Sequence, residues 1–120
     1  MPYLLLIVEP RGQRAERGVE AGKRVYAQMG AFAAELQQRG VLLAVESLAS
    51  DATGTRIQVR NGQVRALDGP FTEAKEMVGG FFLLDCDTRE QAIAIARRCP
   101  AAEWCTVEVR ALAPCYEESA

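Results

Sequence analysis

The chain has 120 residues, 49% of them hydrophobic and 25% charged, with a formal net charge of −2. That length suffices to bury a core without disulfides or metal, so residues 1–120 are read as one domain. With a sequence pI of about 5.2 and no basic stripe, a nucleic-acid partner is excluded. The longest apolar run, residues 3–8, is too short to span a membrane. No secretory signal pattern is present, and the chain is read as cytoplasmic.

In chain order, Tyr3-Leu4-Leu5-Leu6-Ile7-Val8 reads as a strand between Pro2 and Pro10, apolar on both faces. Residues 14–39 read as a long helix, with Val19, Gly22, Tyr26, Met29, Phe32 and Leu36 on one stripe. Gly18, Gly22 and Gly30 weaken it by about 1 kcal/mol each relative to Ala, so its first turn or two is left open as loop. Gly40 is placed to end it. Val41-Leu42-Leu43-Ala44-Val45-Glu46 is a second strand, followed by a polar linker over residues 50–54.

Residues 55–67 carry the clearest local signal. Asn61-Gly62 is the preferred pair for a two-residue type I′ turn. That turn sets Arg60 opposite Gln63, Val59 opposite Val64 and Ile57 opposite Ala66. The apolar residues then share one face, and Arg56, Gln58, Arg60, Gln63 and Arg65 share the other. Residues 78–86 form the next strand, with Gly79-Gly80 permitting a bend or a close backbone approach. Thr88 and Gln91 make a capping box for a helix that buries Ala92, Ile95, Ala96 and Cys99 and ends at Pro100. Residues 104–112 are the last strand, with Cys105, Val107 and Val109 on one face. The acidic tail from Glu117 to Ala120 is expected to fray.

The order strand, helix, strand occurs twice, around an inserted hairpin. This predicts an α+β, ferredoxin-like split βαβ fold, with both helices on one face of an antiparallel sheet. An antiparallel sheet with one wet face alternates apolar and polar residues, and residues 3–8 and 81–84 do not. Four or five such side chains, at about 1.5–3 kcal/mol each when fully buried, drive the open face to find cover. A homodimer packed through that face is the simplest expectation; a ligand pocket, or the hairpin folding back, is the alternative.

Asp68-Gly69-Pro70-Phe71-Thr72-Glu73-Ala74-Lys75-Glu76, followed by Val78-Gly79-Gly80-Phe81-Phe82-Leu83-Leu84-Asp85, resembles the signature of the YCII-related family, in its DGPF-domain branch. The similarity extends to the first strand, to the end of the first helix at residues 31–36, and to Cys99-Pro100-Ala101-Ala102 and the last strand. The resemblance implies a ferredoxin-like subunit of the dimeric α+β barrel type. It implies a protein of unassigned activity, as most DGPF proteins are, with two readings open. One is a small-molecule enzyme of the lyase, isomerase or dehalogenase type, a dehydrochlorinase being among the relatives. The other is a non-catalytic ligand-binding or accessory role linked to sigma-factor signalling. An aspartate–histidine acid–base pair is proposed elsewhere in the family. Asp68 matches the aspartate, but this sequence contains no histidine, so the pair does not carry over.

Asp68 is therefore the candidate catalytic residue, as a general base or binding carboxylate in a pocket between sheet and hairpin. Lys75, Glu73, Phe71 and Tyr26 are candidate ligand-binding residues, with Tyr26 at the edge of the helix stripe. The competing reading is structural: Asp-Gly-Pro is also a turn sequence, and Phe71 can plug the core beneath it. Cys86, Cys99, Cys105 and Cys115 form no C-x-x-C pair and lack histidine partners, so they are read as free thiols, with no metal and no cofactor expected. Cys86 between Asp85 and Asp87, and Cys99 at a helix C-terminus, make poor nucleophiles.

Overall fold

The computed structural model describes residues 2–117; of the tail expected to fray from Glu117 to Ala120, all but Glu117 lies outside the described residues. Strand β1 (Pro2–Pro10) leads into helix α1 (Gln13–Gln38) and strand β2 (Leu42–Ser47). The hairpin strands β3 (Thr55–Arg60) and β4 (Gln63–Asp68) follow. Strand β5 (Glu76–Asp85), helix α2 (Arg89–Arg98) and strand β6 (Thr106–Ala111) complete the order. Four strands form one sheet in the order β2-β5-β1-β6, and each neighbouring pair is antiparallel. This is the ferredoxin-like arrangement that the doubled strand–helix–strand order predicts.

The local chemistry accounts for each boundary. Gly40 takes a positive φ of 74°, its N–H bonds to the Gln37 carbonyl, and the Val41 N–H reaches Leu36. These are the two hydrogen bonds of a Schellman cap. At α2, the Thr88 hydroxyl accepts from the Gln91 N–H while the Gln91 side chain accepts from the Thr88 N–H, closing the expected capping box. The hairpin register is Arg60↔Gln63, Val59↔Val64 and Ile57↔Ala66, with Asn61 and Gly62 at φ 52° and 75° as a type I′ turn requires.

The core lies between the sheet and the two helices. Leu5, Phe82 and Leu84 from the central strands meet Phe32 and Leu36 of α1 and Ala92, Ile95 and Ala96 of α2. Phe32 and Phe82 meet edge to face, with ring centroids 5.6 Å apart. Only the C-terminal half of α1 is buried here, through Phe32 and Leu36. Nearer its start, Gly18 adopts φ 81° and ψ 169°, which breaks the helix into a short first turn and a long second part. The opening residues are thus helical rather than loop, but separated from the rest by a residue whose backbone only glycine adopts without strain.

On the other face of the sheet, Leu4, Leu6, Phe81 and Leu83 are half-buried. The pairs Leu6↔Phe81 and Leu4↔Leu83 place them side by side at its centre. The hairpin does not fold over them: every residue of β3 and β4 is exposed.

Truncating Leu84, which has no exposed surface, to alanine is expected to lower the free energy of unfolding in urea by about 2–5 kcal/mol. Ile57→Ala on the exposed hairpin is expected to change it by less than about 0.5 kcal/mol.

Candidate functional site

Strand alternation sends Tyr3, Leu5, Ile7 and Glu9 toward the helices. The first three meet the core; Glu9 meets a gap. Opposite it, the β1–β5 register slips between Ile7, paired with Gly80, and Val8, paired with Val78. Gly79 is the extra residue of this bulge. A Cβ on Gly79 would lie 2.2 Å from Glu9 Oε1, and one on Gly80 would lie 2.8 Å from the Glu46 carbonyl oxygen. The Gly-Gly pair is thus the close approach its sequence suggests: one glycine makes room for a carboxylate, the other for the backbone of β2.

Glu9 is only 6% exposed, a burial that a carboxylate tolerates only when paired. Its partner is Arg14 in the first turn of α1, which donates from Nε to Glu9 Oε2 (3.2 Å) and from Nη2 to Glu9 Oε1. Arg14 Nη2 also donates to the Leu48 carbonyl at 2.9 Å. One guanidinium therefore ties together the end of β1, the start of α1 and the segment after β2. Beside it Gln13 Nε2 donates to the Trp104 carbonyl, and Arg17 sits over the Trp104 ring with Cζ 5.8 Å from the centroid. Gln13 Oε1 is buried without a hydrogen-bond partner among the described residues.

These groups form the polar end of a cavity of about 730 Å³ between α1 and the sheet. Its roof is α1 from Gly18 through Gly22, Val25 and Tyr26 to Met29. Its floor includes Ile7, Val45 and Phe82, and Trp104 and Cys105 close one side. Along this roof α1 carries glycine at positions 18 and 22, where no side chain projects. Cys105 is the thiol nearest this chemistry. Burial, then the negative charge of Glu9 and the neighbouring Cys99, push its pKa up to about 11, against a smaller opposing effect of Arg17. It is a neutral thiol at physiological pH and a weak nucleophile. Burial likewise raises Cys86, with Asp85 and Asp87 adding to it, and raises Cys99.

The residues singled out from the sequence fall in two places. Tyr26 lines the cavity, although it is 67% exposed. Asp68, Phe71, Glu73 and Lys75 cluster instead at the base of the hairpin. Asp68 ends β4, is exposed, and accepts a hydrogen bond from Thr55 Oγ1 at 2.9 Å. Phe71 is buried beneath the Arg56 guanidinium, whose Cζ is 3.8 Å from the ring centroid. Glu73 Oε1 pairs with Arg56 Nη1 at 3.0 Å. The Lys75 side chain is exposed, and its carbonyl accepts from the Arg11 N–H at 2.9 Å. Neither Asp68 nor these three neighbours line the helix–sheet cavity. Glu9, Arg14, Gln13 and Trp104 were not among the sequence candidates. The signal was present for Glu9: it continues the inward parity of an otherwise apolar strand, where an acid needs a partner.

Because a backbone carbonyl yields less readily than a side-chain tip, Gly80→Ala is expected to destabilise the fold by about 1–3 kcal/mol in chemical unfolding, more than Gly79→Ala. Gly79→Ala instead should push the Glu9 carboxylate off Arg14. Exposed Cys115 is expected to react with iodoacetamide at mildly alkaline pH at least about ten times faster than Cys105, as read by peptide mass mapping.

A family model described as the YCII-related domain matches residues 1–115. The chain is also similar to an uncharacterized protein of Rhizobium meliloti (strain 1021), at 30% identity over 97 residues, covering 81% of this chain and 78% of that protein. With nearly its whole length matched, the chain belongs to the YCII-related family.

Proposed function

We propose that this YCII-related protein binds a small, largely apolar organic molecule in the cavity between α1 and the sheet, with Glu9 and Arg14 as the polar anchor. One observation carries the reading: a cavity of about 730 Å³ whose apolar walls converge on a buried, paired carboxylate. Ligand sites for small molecules are of about 300–1,000 Å³, mostly apolar, with few and convergent polar groups. Glu9 keeps lone pairs beyond those Arg14 occupies, so it can accept from a hydroxyl or amine of the ligand. Binding rather than turnover is favoured by the groups at hand: the Cys105 thiol stays protonated at neutral pH, and no histidine exists to shuttle protons. A lyase, isomerase or dehalogenase reaction at Asp68 has its support in the signature loop alone, since the Asp68 carboxylate is exposed and engaged by Thr55.

The working unit in this reading is a two-fold dimer joined through the open sheet faces. Its support is the apolar centre formed by Leu4, Leu6, Phe81 and Leu83, for which neither helix supplies cover.

Trp104, the single tryptophan of the chain, lines the cavity and makes the test direct. The neutral dye N-phenyl-1-naphthylamine is expected to quench Trp104 fluorescence saturably, with energy transfer to the dye. A Cβ at Gly22 meets nothing within 4 Å, so Gly22→Leu should fill the cavity without a clash. This variant is expected to lose dye binding and to gain up to about 1 kcal/mol of stability from better helix propensity. Saturable binding that is equal in wild type and Gly22→Leu overturns the reading, as does the absence of saturable binding in the wild type.

A further inference from the structure

The Glu9–Arg14 pair does not account for all the charge around the cavity. Four of the residues that border it are acidic or basic: Glu9, Arg14, Arg17 and Glu46. Glu46 pairs with Phe81 across β2 and β5, and residues paired on neighbouring strands send their side chains to the same side of a sheet. The Glu46 carboxylate is therefore on the open side of the sheet with Phe81, away from the helices. Glu9 has its counter-charge in Arg14, and Arg14 is committed to Glu9 and to the Leu48 carbonyl.

That leaves Arg17. It is half-buried, and no carboxylate among the described residues forms an ion pair with it. Its guanidinium lies over the Trp104 ring, with Cζ 5.8 Å from the centroid. Contact with the indole engages the cation through its charge and leaves the N–H groups free to bond. Cys105, on the same side of the cavity, is a neutral thiol and supplies no counter-charge. The cavity therefore carries one positive charge in excess, beside the apolar floor of Ile7, Val45 and Phe82.

A cation that has lost part of its water and found no partner favours an anion brought from outside. The planar fork of a guanidinium matches the two oxygens of a carboxylate. A single excess charge is balanced by a monoanion, whereas a dianionic phosphate would bring one negative charge too many into an apolar space.

We propose that the cavity selects an ionised carboxylic acid with an apolar body, its carboxylate held by Arg17 beside Trp104. This rests on the cavity reading above and goes beyond it in fixing the ligand's charge and the residue that reads it. The test uses two probes of one shape, 2-naphthoate and its neutral amide 2-naphthamide, as displacers of N-phenyl-1-naphthylamine at neutral pH. In wild type, 2-naphthoate is expected to displace the dye at about tenfold lower concentration than the amide. Arg17→Gln is expected to weaken 2-naphthoate by about tenfold and so erase the difference. Dye binding, amide binding and thermal unfolding of this variant are expected to match wild type. Arg17→Lys keeps the charge without the planar fork and is expected to fall between the two. Equal displacement by both probes in wild type, or a preference that survives in Arg17→Gln, overturns the assignment and leaves the cavity reading standing. Loss of dye, amide and naphthoate binding together in Arg17→Gln also overturns it, because Arg17 would then support the wall rather than read charge. A wild-type protein that binds no dye overturns the cavity reading, and the assignment with it.

Discussion

The Glu9–Arg14 pair holds together what would otherwise be separate parts of the molecule. A carboxylate on the inward face of the central strand cannot stay buried without a counter-charge, and the register slip at Gly79 is what gives it space. Arg14 comes from the first turn of α1, and its second contact, the Leu48 carbonyl, lies past the end of β2. The start of the helix is thereby fixed to two strands, while the apolar packing that fixes its other end resides in Phe32 and Leu36. The helix is pinned at both ends by different physics, charge at one and burial at the other. The unfilled stretch between them, with glycine at 18 and 22, is the cavity. The site thus follows from how the helix is attached rather than from a loop inserted to make one.

The same molecule separates its two kinds of unsatisfied surface. The cavity lies on the helix side, with Glu9, Arg14 and Trp104 at one end. The signature loop lies at the root of the β3–β4 hairpin, where Arg11, Asp51, Arg56, Phe71 and Glu73 interlock. In the loop Asp-Gly-Pro-Phe, Asp68 closes the last rung of the hairpin against Thr55, Gly69 lets Asp51 approach, and Phe71 fills the space under Arg56. Each of these contacts secures the root of the β3–β4 hairpin, and a turn built from Asp, Gly and Pro carries the same residue types as a catalytic loop, so the motif reads as either in sequence.

Local chemistry was legible from the residues alone. Asn61-Gly62 dictated the hairpin and its register. Thr88 and Gln91 dictated the capping box, and Gly40 the end of α1. The stripe Ala92, Ile95, Ala96 and Cys99 is buried as its spacing implies. The repeated strand–helix–strand order led to the observed strand order, because right-handed crossings leave few alternatives for two such units sharing one sheet. Helix α1 was less legible. Its stripe includes Val19 and Tyr26, which are 71% and 67% exposed. Periodicity reports which side chains share a face and cannot report whether that face touches anything.

The sequence by itself determined the elements, their caps, the hairpin register and the two-layer fold, since each depends on residues within a turn or two, or on alternation along one strand. Tertiary structure alone decided that Glu9 meets Arg14, that Gly79 is the bulge residue, and that the first half of α1 stands away from the sheet. It also decided that Asp68 lies outside the cavity. Those outcomes depend on distances between segments far apart in the chain, set by how the strands align and where a helix is pinned. No local propensity encodes them.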